Sequence, residues 1–298
     1  MNFLRTAKKL SWLTSHPDCR AHPWTLASRV LQWEWYRMRG RPVLLPLFDF
    51  MIEARPTDGV GRVICYFREQ ADALFVFMKS YLRPGMTFVD VGANIGSHTV
   101  HGARLVADKG RVFSLEADPE TFALLQHNVR LNGVANAILS NQCISDKQGT
   151  VPFNINPDSA RSSLLRKGIS QTLLSANTLD NLLPDGIQVD LLKIDVEGAD
   201  YLVLCGAKRI FADAPPRIVV IEVTSYEKEI KEFLLSYGYR LYSFDGSRSA
   251  FIEVEGPVFN TYAVRDGMQH EFSNFIFVPL TNWSPAQHPA LAAPSRAD

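Results

Sequence analysis

The sequence predicts an α/β fold, a doubly wound and mostly parallel sheet, and three observations carry that expectation. From Phe88 onward, short apolar runs of strand length alternate with helical patterns. The first run leads into a glycine-rich turn, Asp90-Val-Gly92-Ala-Asn94-Ile-Gly96, which opens a helix. Later runs end in carboxylates, at Glu116, Asp195 and Glu222, so acids line the edge where open α/β sheets bind ligands.

The elements follow in order. Residues 1–60 read as an N-terminal accessory segment, in which Trp and Arg interleave between Arg20 and Arg41. That pattern is expected to pack an extra layer against a domain, with contact to a charged substrate or a membrane surface as the alternative. Pro42 and Pro46 exclude a helix between them. Residues 61–280 form the main domain, and residues 281–298, rich in Ala and Pro, a loose C-terminal tail. Within the main domain the patterns predict a helix over 71–82, a strand at 88–91, a helix over 99–107 and a strand at 111–115. A helix over 119–131 stops near Asn132-Gly133, and a third strand covers 137–142. Residues 150–155 and 170–174 read as an inserted β-hairpin separated by a polar loop, 156–168. Alternation then resumes with a strand at 189–194, a helix over 199–211, a strand at 218–221 and a helix over 227–237. The last strands expected are 240–244 and 272–278.

The composition is that of a globular protein of 298 residues, with Lys+Arg 31 against Asp+Glu 31. A chain without a global basic field is not expected to bind nucleic acid. The four cysteines, Cys19, Cys65, Cys143 and Cys205, are too dispersed for a metal pair and read as reduced core residues. The N-terminus lacks the uninterrupted apolar stretch of a signal peptide, and no run reaches the roughly 18 apolar residues of a membrane span. A cytoplasmic location without stable membrane insertion is expected.

The glycine turn discriminates between ligands. A dinucleotide turn reads G-x-G-x-x-G and aims backbone amides at a pyrophosphate. Here Asn94 stands at the second glycine and Asp90 ends the strand, so a negative charge would disfavour phosphate and favour a cation. S-adenosylmethionine, a sulfonium without phosphate, has that character. Glu116, about twenty residues beyond Gly96, is placed to accept hydrogen bonds from both ribose hydroxyls. Asp146 either reaches an adenine amino group or closes an Asx turn. Asp195 and Glu197, on Lys193-Ile-Asp195-Val-Glu197-Gly198, and Glu222 are candidates to orient the ligand or take a proton, and capping of the following helix with pairing to Lys193 is the alternative for the first two. His98, at the start of the first helix after the turn, is a further proton acceptor or else a packing residue. Asp195, Glu197 and Glu222 could also bind a divalent cation, but they match no compact metal motif in spacing, so no metal is expected.

In their order along the chain these segments resemble the FkbM-type family of class I S-adenosylmethionine-dependent methyltransferases. The matching pieces include Phe88-Val-Asp-Val-Gly-Ala-Asn-Ile-Gly96, Leu115-Glu-Ala-Asp-Pro119, Ser162-Ser163-Leu164, Thr178-Leu-Asp180, Leu192-Lys-Ile-Asp-Val-Glu-Gly198 and Val220-Ile-Glu222. The resemblance implies a Rossmann-like seven-stranded sheet, ordered 3-2-1-4-5-7-6 with strand seven antiparallel, in which residues 61–280 are the methyltransferase domain. It implies methyl transfer to a hydroxyl of a sugar, glycolipid, polyketide or related metabolite. Asp90, Gly92, Asn94, Gly96 and Glu116 carry over as cofactor contacts, and Asp195 and Glu197 as signature acids. Ala117 stands where proline is common, and Asp200 where glutamate is. A NAD-dependent dehydrogenase and a cofactor-binding protein without turnover are the rival readings.

Overall fold

The computed structural model describes residues 22–156, 164 and 170–279. The chain divides into two compact units, Met1–Ala71 and Asp72–Asp298.

In the first unit, helix α1 (Pro23–Arg39) starts at a proline that suits the first helical turn and ends on Gly40 in the left-handed conformation. Strands β1 (Val43–Leu47) and β2 (Phe50–Ala54) pair antiparallel as a hairpin, and α2 (Gly59–Phe67) completes the unit. Pro46 is accommodated inside β1, so the two prolines exclude helix but not strand. The expected boundary at residue 60 falls inside α2, whose apolar face belongs with this unit; Gly61 lies against Ala54 and Trp33. Packing accounts for only one face of α1: Leu26 and Trp33 are buried, whereas Trp24 and Trp35 are exposed.

In the second unit, α3 (Ala73–Tyr81) precedes β3 (Thr87–Val91), α4 (Ser97–Val106), β4 (Arg111–Leu115), α5 (Pro119–Leu131) and β5 (Ala137–Ser140). A small three-stranded sheet follows, with β6 (Cys143–Ile144) parallel to β8 (Ser170–Asn177) and β8 antiparallel to β7 (Gly149–Ile155). The polar loop expected between β7 and β8 lies almost wholly outside the described residues; Leu164 packs with Phe153 and its neighbours. After α6 (Leu179–Leu182) come β9 (Leu191–Ile194), α7 (Asp200–Cys205), α8 (Lys208–Asp213), β10 (Ile218–Glu222), α9 (Glu227–Ser236), β11 (Tyr239–Asp245), β12 (Ala250–Glu253), β13 (Asn260–Arg265) and β14 (Ile276–Val278).

The main sheet runs β14-β12-β11-β13-β10-β9-β3-β4-β5. Strands β10, β9, β3, β4 and β5 are mutually parallel, and β13 enters antiparallel between β10 and β11. Period-two alternation sends neighbouring residues to opposite cores: Val89, Leu192 and Val219 to one, Phe88, Leu191 and Ile218 to the other. Both faces are covered, as a mostly parallel sheet requires.

Three expectations are corrected. Among the described residues the sheet has nine strands, because β12 and β14 extend it beyond seven. The antiparallel strand inserted between β10 and β11 is Asn260–Arg265 and not 272–278; Phe272 and Phe275 instead pack as aromatic core residues, leaving a short edge strand. The helix over 199–211 is two helices broken at Gly206, where a Cβ would sit 2.1 Å from the Ser145 carbonyl oxygen. That contact demands glycine.

Candidate active site

The parallel order of β4, β3, β9 and β10 sets Glu116, the glycine turn, Asp195 and Glu222 side by side at the carboxyl ends of the strands. Gly92 has φ +77°, and a Cβ there would lie 1.8 Å from the Asp195 carbonyl oxygen, so this crossing needs glycine. Asn94 has φ +50°, a conformation for which asparagine is enriched, and so it can stand where a dinucleotide turn has glycine.

Every amide of the turn is already satisfied inside the chain. Gly92 and Ala93 N–H donate to the Leu115 carbonyl at 2.9 and 3.0 Å, and Gly96 N–H donates to the Ala93 carbonyl at 2.9 Å. Asn94 N–H donates to Glu116 Oε2 and Ile95 N–H to Asn94 Oδ1, both at 2.8 Å. The turn therefore presents little to a phosphate.

Glu116 holds the two loops together, since its other oxygen accepts Asp118 N–H at 2.9 Å. Burial pushes its pKa up to about 7, against the pull of those two amides. Asp118 in turn caps α5 by accepting Glu120 and Thr121 N–H.

Asp90, at the strand end, has its carboxylate engaged within the chain. It is fully buried, accepts Thr99 Oγ1–H at 2.8 Å and pairs with Lys193 Nζ at 3.2 Å. Lys193 is itself buried, donates to the Gly92 carbonyl at 2.9 Å and lies 3.4 Å from Asp195. Burial alone would lower its pKa, but Asp90 and Asp195 on either side raise it and keep the ammonium protonated. Asp90 thus fixes the cradle from below through Lys193. The sequence offers Lys193 as a partner for the acids that follow it, and the pairing with Asp195 is found; the link to Asp90 needs the register of β3 against β9.

Asp195, Glu197 and Glu222 converge, each with a carboxylate oxygen within 4.8 Å of the others. Such a set is one that a divalent cation accepts, the alternative the sequence raises for these three acids. Burial, followed by the charge of Asp195 and a hydrogen bond with it, then Glu197 and Asp200, pushes the Glu222 pKa up to about 10. These neighbours favour the neutral form of the Glu222 carboxyl. Glu197 takes φ +58°, strain of the kind that concentrates at functional sites. The loop is held by Asp200, which accepts Val196 and Gly198 N–H, both at 3.0 Å. Burial raises the Asp200 pKa to about 6.

The raised pKa of Glu222 has a consequence for stability. A carboxyl whose folded pKa exceeds its unfolded value of 4.5 contributes fully below 4.5, and that contribution drains away as pH rises toward about 10. Glu222→Gln removes the drain. The variant is expected to melt about 5 °C or more above wild type at pH 8 and near it at pH 4, on the scale of ~2–4 °C per kcal/mol. Scanning calorimetry across pH 4–9 checks this, and parallel curves for the two proteins would refute it.

The remaining candidates lie apart from this cluster or are engaged elsewhere. His98 stacks on Phe75 with centroids 4.3 Å apart and pairs with Asp72 at 3.3 Å, a partner that the sequence does not single out. Asp72 also caps α3 through Leu74 N–H, and that capping position is its one visible signal. Asp146 is exposed and accepts Ser145 Oγ–H at 3.0 Å.

A sequence model of the methyltransferase FkbM domain family matches residues 90–241, just over half of the chain. A protein-L-isoaspartate O-methyltransferase from Triticum aestivum is 29% identical over 118 residues, which cover 38% of this chain and 48% of that one. The chain thus matches about half the length of that curated relative. Among solved structures, methyltransferase FkbM from Methylobacillus flagellatus KT aligns at 15% identity and TM-score 0.42, covering 80% of this chain and 59% of that one. M. jannaschii TYW2 in complex with AdoMet aligns at 14% identity and TM-score 0.38, covering 75% and 84%.

Proposed function

The chain belongs to the FkbM methyltransferase family, and on that premise we propose that it is an S-adenosylmethionine-dependent O-methyltransferase acting on a hydroxyl of a sugar, glycolipid, polyketide or related metabolite. The observation that carries this reading is the self-satisfied glycine turn beneath an acidic rim. With all five amides from Gly92 to Gly96 already donating within the chain, pyrophosphate lacks its usual ligands, which disfavours the nicotinamide reading. A cationic sulfonium and a ribose suit Glu116 and the acids at 195 and 197 instead.

When bound, S-adenosylmethionine supplies a methyl group already activated for displacement by an acceptor oxygen. The protein's work is then positioning, exclusion of water and removal of one proton. Glu116 would hold the ribose hydroxyls on lone pairs left beyond its two amides, and Asp146 would serve the adenine amino group. Lys193, fixed by Asp90, holds the Gly92 carbonyl and steadies Asp195. With Glu222 biased toward its neutral form, Asp195 is the preferred acceptor for the hydroxyl proton, with Glu197 beside it and His98 last in preference.

Calorimetry with S-adenosylhomocysteine and with NAD, followed by mass spectrometry of a hydroxylated acceptor panel, tests the reading. Binding of the first ligand alone and a gain of one methyl on an acceptor oxygen are expected. Binding of NAD alone would overturn the proposal, and donor binding without transfer to any acceptor would favour a binding protein.

A further inference from the structure

The exposed face of α1 departs from what a solvated helix presents. Its buried side carries Leu26 and Trp33, whereas Trp24, Leu31, Trp35 and Met38 are 87, 72, 47 and 77% exposed. At 100° per residue these four fall within an arc of about 60°, opposite the buried pair. They form one continuous apolar stripe along the helix. Leu44 on β1 is also exposed, and a groove beside the stripe is lined by Trp35, Tyr36, Arg39, Arg41, Val43 and Leu44. The Arg39 guanidinium lies over the Trp35 ring, 4.5 Å from its centroid.

Charge identifies the occupant. Residues 1–41 contain eight Lys or Arg against Asp18 and Glu34, a formal +6 in a chain whose total is +0. Four of the five tryptophans, Trp12, Trp24, Trp33 and Trp35, fall in the same segment. An aromatic stripe beside arginines inside a basic segment matches the surface of an anionic bilayer: rings settle at the headgroup level while guanidinium groups meet lipid phosphates. A second copy of the chain would bring two such basic segments face to face, which charge opposes. No helix among the described residues is long and apolar enough to cross a membrane, so this helix would lie in the interface plane.

We infer that α1 is a peripheral docking surface for anionic lipid, with Trp24, Leu31, Trp35 and Met38 entering the headgroup region and Arg39 and Arg41 pairing with phosphates. The binding needs neither cofactor nor turnover. The test is flotation of the full chain with vesicles of phosphatidylcholine alone or containing about 30% phosphatidylglycerol, a fraction that gives the surface a negative potential, with tryptophan emission and light scattering in parallel. The chain is expected to float with the anionic vesicles and not the neutral ones, to blue-shift on binding and to dissociate in high salt. Trp24→Glu with Leu31→Glu is expected to lower partitioning at least tenfold with an unchanged melting temperature, because both side chains are exposed. Arg39→Gln with Arg41→Gln is expected to weaken binding severalfold and flatten its salt dependence. Wild-type chain that stays unbound, or equal flotation of the Trp24→Glu/Leu31→Glu variant, overturns the inference. So does a dimer in the absence of lipid that this variant dissolves, because the stripe would then serve a second copy.

Discussion

Glu116→Gln is expected to weaken binding of S-adenosylhomocysteine by ~10–100-fold while leaving the fold intact. The reason lies in the two amides that Glu116 joins. Its oxygens accept Asn94 and Asp118 N–H, one on each side. A glutamine can satisfy one of these with its carbonyl, but its NH₂ then faces the other N–H, donor against donor. Leaving one buried donor unpaired costs about 1–3 kcal/mol, and the ribose loses an acceptor at the same point. Titration calorimetry reads the change directly. The wild-type protein has a second signature, because burial raises the Glu116 pKa to about 7. Below that pH the carboxyl carries a proton and accepts less well, so the dissociation constant should climb as pH falls from about 8 to about 6, across that pKa. In the glutamine variant that slope should vanish. Unchanged affinity in the variant, or an equal pH slope in both proteins, would remove Glu116 from the ribose contact.

Much of this cradle was legible because its signals are local. Phe88 to Val91, Arg111 to Leu115 and Ile218 to Ile221 read as strands because a short, nearly continuous apolar run between turns suits a parallel strand buried on both faces, which is where these three lie. The helix Pro119–Leu131 carried its own Asp118 cap and a terminal glycine nearby. Strand Asn260–Arg265 was missed for the opposite reason: exposed polar ends frame it, and its buried Thr261 bonds locally to Val258. The aromatic run from Phe272 drew attention instead, since apolar content alone cannot tell a strand from a cluster of packed rings. In the site, residue types were visible and partnerships between strands were not. Lys193 bridges Asp90 and Asp195 only because β9 lies beside β3 in one particular register. The raised pKa of Glu222 depends on burial and on β9 and β10 being adjacent, which brings Asp195 beside it. Asp90 reads from sequence as a charge at the strand end; its burial and its pairing with Lys193 need the fold.

Asp195→Asn is expected to lower turnover by ~10²–10⁴-fold, the range over which a positioned proton acceptor acts, with donor affinity little changed. The assignment rests on the environment of the neighbouring carboxyl. Glu222 is pushed up to about 10, chiefly by burial and then by its acidic neighbours, which favours its neutral, hydrogen-bond-donating form at neutral pH. Asp195, between Glu222 and the ammonium of Lys193, retains the capacity to accept the hydroxyl proton as the acceptor oxygen attacks. Asparagine keeps the shape and removes that capacity. Glu222→Gln instead mimics the neutral group already present, and should cost no more than about tenfold, well below the loss from removing a proton acceptor. Single-turnover rates with saturating donor separate the two variants, and the ordering is the test. A larger loss in Glu222→Gln would transfer the proton-accepting role to Glu222, and full activity in Asp195→Asn would leave Glu197 to be examined in the same way.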